Sequence, residues 1–323
     1  MGEPALGIDL GGTNVRAALV DRETGRVLSL AKRALAGHAP EEVAAAVAKA
    51  ARSAAGAREL ASFTRAGAGV AGQVLGKSGL VLNAPNLGWR DVAFGEMLGR
   101  ALGMPVRIVN DLSAAAWGES RFGAAKGARD ALVVFVGTGV GSGIVLGGRL
   151  QEGARGVAGE IGHVKVRPPR PGEPPRPCGC GAVGCLEAYA GGARIAARVR
   201  EEIGRGGATR IAELAGGDLA AVTASAVERA AAADDEYARE LWAEVGELLG
   251  TAVANAVTIL NPARLVLGGG VLRSSPSLRA IVVERVAAAA SRSAAAELAI
   301  AAAELGDEAG VVGAALLGAG IEG

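Results

Sequence analysis

The sequence predicts an α/β protein of two lobes, and three observations carry that expectation. Strand-like apolar runs alternate with helical periodicities along the chain. One pattern, an apolar strand folding back through a glycine-rich turn into a second strand, occurs at residues 5–20 and again at 131–146. The length of 323 residues corresponds to about two domains. Composition agrees: 50% hydrophobic and 21% charged residues exclude a disordered chain, and 51 glycines follow no collagen-like period. Aromatics are only 3%, so the core must be built from Ala, Val, Leu and Ile. A formal charge of +1 argues against nucleic acid or a membrane surface as partner.

Taken in order, Ala5–Asp9 and Val15–Val20 read as strands around Leu10-Gly-Gly-Thr-Asn14. A helix is expected near Glu41–Arg58, a strand at Val106–Val109 and a helix near Ser113–Phe122. The second hairpin is expected as strand Ala131–Val136, turn Gly137–Gly143 and strand Ile144–Leu146. The second half reads as mostly helical. Leu241, Val245, Leu248, Leu249, Ala252, Ala256 and Leu260 recur at helical spacing, and Asn261-Pro262 stops that helix. Leu265–Leu267 is a short strand leading into Gly268-Gly-Gly270, and Gly310–Gly318 is a helix expected to pack back on the first lobe. The resulting division is residues 1–111 with about 303–323 as one lobe, and 112–302 as a larger one. Pro168 to Pro177 holds six of twelve prolines and is expected as an extended surface excursion. No run of eighteen apolar residues or leader-like start is visible, so a cytoplasmic protein is expected.

Two motifs mislead. Gly67-Ala-Gly-Val-Ala-Gly72 fits a dinucleotide fingerprint, but the next segment contains Gly76 and Gly79 where a helix should begin. Gly76-Lys-Ser78 imitates a phosphate loop, yet that motif needs glycine where Ala71 stands.

The glycine hairpins are the candidate phosphate sites. Asp9, Gly11, Gly12 and Thr13 in one, and Gly137, Thr138, Gly139 and Gly141 in the other, let backbone N–H groups approach phosphate oxygens without Cβ hindrance. Asp9 could also hold magnesium. Gly269 and Gly270 follow a later strand in the same manner. Asn110-Asp111 ends a strand and precedes a helix. Asp111 could accept a hydroxyl proton from an interlobe cleft, while the plainer alternative is a helix cap. Glu160 and His163 are three residues apart and share a face if the segment turns helically. His38, the other histidine, is expected at the surface. His163 precedes Cys178, Cys180 and Cys185, the only cysteines in the chain. One imidazole and three thiolates complete a tetrahedral zinc set with no vacant position, which is a structural ion. Zinc binding would fix Glu187 near Glu160 and His163, giving several acceptors for the hydroxyls of a polyol.

Together these residues resemble the ROK family (repressor, open reading frame, kinase), over essentially the whole chain. The likeness rests on Asp9-Leu-Gly-Gly-Thr13, Asn83-Ala-Pro-Asn-Leu87 with Trp89, Asn110-Asp111, Gly137-Thr-Gly-Val-Gly141, Gly159-Glu-Ile-Gly-His163, the cysteine cluster with Glu187, and Gly268-Gly-Gly270. The resemblance implies an actin-like, ribonuclease-H-like two-lobed ATPase fold and magnesium-ATP-dependent phosphorylation of a hexose 6-hydroxyl, with glucose foremost. Fructose, mannose, N-acetylglucosamine and N-acetylmannosamine are the alternative substrates. It implies Asp111 as base, and Gly72, Asn86, Asn110, Glu160, His163 and Glu187 as sugar contacts. Asp9, Gly11–Asn14, the second hairpin, Gly269 and Gly270 would contact ATP. A homodimer or homotetramer is also implied. The chain departs from the family pattern in three ways. Fourteen residues separate His163 from Cys178, Asn14 stands where many members have lysine, and Leu112-Ser113 follow Asp111. A sugar-sensing repressor of the same family would carry a helix-turn-helix ahead of the first hairpin, and here the hairpin starts by Leu6.

Overall fold

The computed structural model describes residues 3–58, 60–76, 78–170 and 172–321. Lys77 of the false phosphate loop and Pro171 of the proline-rich excursion lie outside them. The chain divides into two compact units. One comprises Met1–Val133, Gly143–Gly159 and Ala303–Gly323; the other comprises Val134–Ser142 and Glu160–Ala302. The first unit thus runs on well past residue 111, because the helix that follows packs within it.

That unit is built on a five-stranded sheet. Strands β1 (Pro4–Leu10), β2 (Asn14–Asp21) and β3 (Val27–Ala34) form an antiparallel meander. Strand β4 (Ala66–Val70) pairs parallel with β1; then come β5 (Gln73–Leu75), β6 (Leu80–Ala84), β7 (Trp89–Val92) and β8 (Val106–Asn110). β8 pairs parallel with β4, giving the order β3-β2-β1-β4-β8, while β5, β6 and β7 make a small antiparallel sheet. β1 and β4 are central strands and are buried almost throughout, as expected of strands covered on both faces. The helix Pro40–Ala55 starts with proline in its first turn and buries Val43, Val47, Ala51 and Ala54 at helical spacing. The helix Asp111–Phe122 packs against the C-terminal helix Ala309–Gly318, which also lies on β1 and β4. Gly313 makes that contact possible, since a Cβ there would collide with the Ala114 carbonyl. The dinucleotide decoy is mostly strand β4, and a strand rather than a helix follows it.

Strands β9 (Ala131–Val136) and β10 (Val140–Leu146) carry residues of both units, followed by β11 (Arg149–Leu150), β12 (Arg264–Gly268) and β13 (Ala299–Ala302). Their order, β11-β10-β9-β12-β13, repeats that of the first sheet strand for strand. The sequence duplication is therefore a duplication of topology. The second turn is shorter than the glycine spacing suggested: Val140–Gly143 belong to β10 and only Gly137–Gly139 form the turn.

The second unit is otherwise mainly helical. Its long helix, Glu236–Leu260, is capped by the Asp235 carboxylate, which accepts from the Ala238 amide at 2.9 Å. Asn261 ends it in the left-handed conformation at φ 47°, ahead of Pro262. By length and composition this helix could cross a membrane. It packs on Pro276–Ala289, however, and carries Glu236, Arg239, Glu240, Glu244 and Glu247, as a core helix does. Residues 168–170 and 172–177 have neither helix nor strand apart from an isolated bridge at Pro177. Arginines tie the excursion down: Arg170 to Glu244 at 3.0 Å, and Arg176 to Glu173 and Glu201.

Candidate active site and metal centre

The first glycine turn joins β1 to β2, and the carbonyls of Gly12 and Thr13 are hydrogen-bonded within the chain. Gly11 N–H closes the turn on the Asn14 carbonyl at 3.0 Å, Leu35 N–H donates to Thr13, and His38 Nε2 donates to Gly12 at 2.8 Å. The amides of Gly12 and Thr13 have no acceptor among the described residues. Such a pair of outward N–H groups is an anion cradle. A Cβ on Gly12 would come within 2.7 Å of the Asn86 Cβ, so this glycine is required by close approach. Asn14 begins β2 and spends its amide on Thr13 Oγ1 at 2.9 Å. Asp9 lies beneath the turn, 3.7 Å from Arg16. Burial raises its pKa, Arg16 opposes the rise and the charge of Asp307 adds to it. A carboxylate oxygen of this kind suits magnesium as a ligand.

The second turn repeats the scheme with other partners. Gly137 N–H donates to Gly139 at 2.9 Å, while the carbonyls of Gly137 and Thr138 accept from Gly192 and Ala193. The amides of Thr138 and Gly139 again have no acceptor among the described residues. A Cβ on Gly139 would strike the Glu187 carboxylate, and Glu187 Oε2 accepts from the Val140 amide at 3.0 Å. Gly141, expected in the cradle, is instead buried inside β10, a consequence of the shorter turn. Gly269 crosses the Val136 backbone at φ 90°, a conformation and an approach that only glycine accepts; Gly270 has open space around it.

Asp111 is the first residue of its helix, placed by Asn110 at the end of β8. Asn110, expected as a sugar contact, is bonded within the chain on all sides. Its Oδ1 accepts from Leu112 N–H and Ser113 N–H at 2.9 and 3.0 Å. Its amide donates to the Gly72 carbonyl at 3.0 Å and to Asp111 Oδ1 at 3.1 Å. Asn110 is therefore the helix cap, and its amide also bonds the Asp111 carboxylate. Gly72 in turn serves through its carbonyl, which anchors Asn110. Asn86 is exposed in the loop between β6 and β7.

In the second unit, Glu160 and His163 stand at either end of a short 3-10 turn, with Glu160 Oε2 3.5 Å from His163 Nε2. Burial raises the Glu160 pKa, His163 opposes that and the charge of Glu187 adds to it. The other imidazole nitrogen, Nδ1, is 3.8 Å from Cys178 Sγ, and Cys180 Sγ is 3.8 Å from Cys185 Sγ. All four ligand atoms of His163, Cys178, Cys180 and Cys185 lie within 4.8 Å of one another. A tetrahedral zinc with bonds of about 2.3 Å to sulfur spaces its ligands by about 3.8 Å. The residues therefore fit the ion. Burial pushes the Cys178 thiol up to about 12, and a dication is what would turn a thiol so placed into a thiolate. Glu187 Oε1 stands 4.0 Å from Cys178 Sγ, so one carboxylate touches both the metal set and the second turn.

Two residues of consequence were not assigned from sequence. His38 is exposed as expected, yet it holds the first turn through Gly12 and accepts from Trp89 Nε1 at 2.6 Å through its carbonyl. Lys165 sits against the cysteine set. A lone polar residue in a loop offers no sequence signal for either contact.

Comparison with known proteins places these features. The profile of the ROK family matches residues 5–320. The chain is 32% identical over 317 residues to the glucokinase of Streptomyces coelicolor, covering 96% of each. It is 37% identical over 317 residues to the bifunctional enzyme NanE/NanK of Brucella suis, covering 98% of this chain and 53% of that protein. Among solved structures, a ROK family glucokinase from Streptomyces griseus in complex with glucose and AMPPNP superimposes with a TM-score of 0.79 at 32% identity, covering 98% of this chain and all of that one.

Proposed function

The chain belongs to the ROK family, and from that premise we propose that it is an ATP-dependent hexose kinase that converts glucose to glucose 6-phosphate. The observation that carries the reading is the pair of glycine turns. Each has two carbonyls bonded within the chain and two adjacent amides that would meet phosphate oxygens. Similarity to glucokinases along nearly the full length of both chains supports glucose as the acceptor.

In this reading Gly11–Thr13 and Gly137–Gly139 would hold the phosphates of ATP, with Gly269 and Gly270 beside the nucleotide. Asp9 would bind magnesium, which neutralises phosphate charge. Asp111 would take the proton of the sugar 6-hydroxyl as its oxygen bonds to the γ-phosphorus and the bond to ADP breaks. Asn110 keeps the carboxylate oriented for that transfer. Glu160, His163 and Glu187 would accept or share hydrogen bonds with the remaining hydroxyls, with Gly72, Asn86 and Asn110 as further contacts. His163, Cys178, Cys180 and Cys185 would hold a structural zinc that fixes Glu187 and His163 in place.

A second acceptor is favoured by one observation, the 37% identity to NanE/NanK. An ADP-release assay over a panel of hexoses separates the two. Turnover highest with glucose upholds the proposal. Preference for an N-acetylated hexosamine would replace glucose and leave the kinase assignment standing, and no ADP release with any sugar would remove both.

A further inference from the structure

We propose that Lys165 is an outer-sphere partner of the metal set, its ammonium donating to the Cys185 sulfur and fixing the direction in which that sulfur meets the ion. The inference rests on the reading of His163, Cys178, Cys180 and Cys185 as a zinc site. Lys165 Nζ donates to Cys185 Sγ at 3.0 Å and to the Val183 carbonyl at 2.9 Å. The backbone fixes this geometry from both sides. Lys165 and Cys185 form an antiparallel bridge, with Val166 N–H on Gly184 and Leu186 N–H on Val164, each at 2.9 Å. Cys185 is fully buried, whereas Lys165 is exposed and covers it from the solvent side.

Charge explains why a cation belongs there. Three thiolates, a neutral imidazole and a dication sum to one negative charge, and Glu160 and Glu187 stand against the same ligands. An ammonium donating to a metal-bound sulfur offsets that excess and holds the sulfur in place. Partners of this kind typically change metal affinity 10–100-fold when removed. A lysine present only to tie Val183 would need no particular charge beyond its donor.

The test uses the full-length, zinc-loaded protein. Metal content is measured first, followed by the rate of zinc transfer to a chromogenic chelator for wild type, Lys165→Arg, Lys165→Gln and Lys165→Glu. Release is expected to be about tenfold faster for the glutamine variant, faster again for glutamate, and near wild type for arginine. In cobalt-substituted protein, the sulfur-to-metal absorption should shift in the glutamine and glutamate variants and not in the arginine variant. Zinc present in the wild type with equal release rates in all four proteins overturns the role of Lys165 alone. A wild type without zinc overturns the metal-site reading and this inference with it.

Discussion

The two glycine turns have the same backbone and different supports. In the first, the carbonyls are tied by residues 35 and 38, and Asn86 packs behind Gly12. In the second, the N-terminal end of the helix Gly192–Gly204 accepts that task, and the carboxylate packed behind the turn is Glu187, which also touches Cys178. The duplicated strands thus carry the same turn on different surrounding loops. The first cradle rests on a loop of the sheet itself. The second has Glu187 behind it, whose carboxylate also meets the cysteine set.

The largest effect expected from a single substitution separates chemistry from either cradle. Asp111→Asn keeps the size and the helix start but removes the proton acceptor, and kcat should fall by about 10²–10⁴-fold with sugar binding retained. Near-normal kcat in that variant would withdraw the base assignment. Removal of the metal comes next. Chelation, or Cys185→Ser, should raise the KM for ATP through Glu187 and lower the melting temperature, while the first turn keeps its support. Melting of wild type and chelated protein at one temperature would show that the second cradle does not depend on the ion.

Smaller effects sharpen the contrast within the second turn. Gly139→Ala forces a methyl into Glu187 and should cost about 1–3 kcal/mol in thermal unfolding. Gly137→Ala meets nothing within 4 Å and should stay within about 0.5 kcal/mol. Equal losses at both positions would break the assignment of Glu187 as the support. The smallest effect concerns pH. Glu160 must be ionised to accept from a sugar hydroxyl, and its pKa is raised by burial. The sugar KM should therefore climb on acidification from a pH above the ordinary glutamate range of about 4.3, and Glu160→Gln should remove that limb. A limb unchanged by the substitution assigns it to another group.

Much of this was legible in the sequence because glycine and proline act locally. Both hairpins, the stop at Asn261-Pro262 and the return of the C-terminal helix follow from residues that dictate their own backbone. The four-residue metal set was legible because its chemistry fixes its membership. What escaped depends on contacts made at a distance. Val140–Gly143 read as turn because of Gly141 and Gly143, and pairing in the sheet drew them into β10. Which residue of Asn110-Asp111 caps the helix was open in the sequence, and the bonds from Leu112 and Ser113 to Asn110 decide it. The bond from Val140 to Glu187 joins residues 47 apart, and no local pattern announces it.

Amide spectra of the isotopically labelled protein, recorded as a non-hydrolysable ATP analogue is added with magnesium, probe the cradles atom by atom. The N–H groups of Gly12, Thr13, Thr138 and Gly139 should all move toward the positions of strongly hydrogen-bonded amides at saturation. Saturable binding that leaves all four resonances in place would mean that neither turn receives the phosphates.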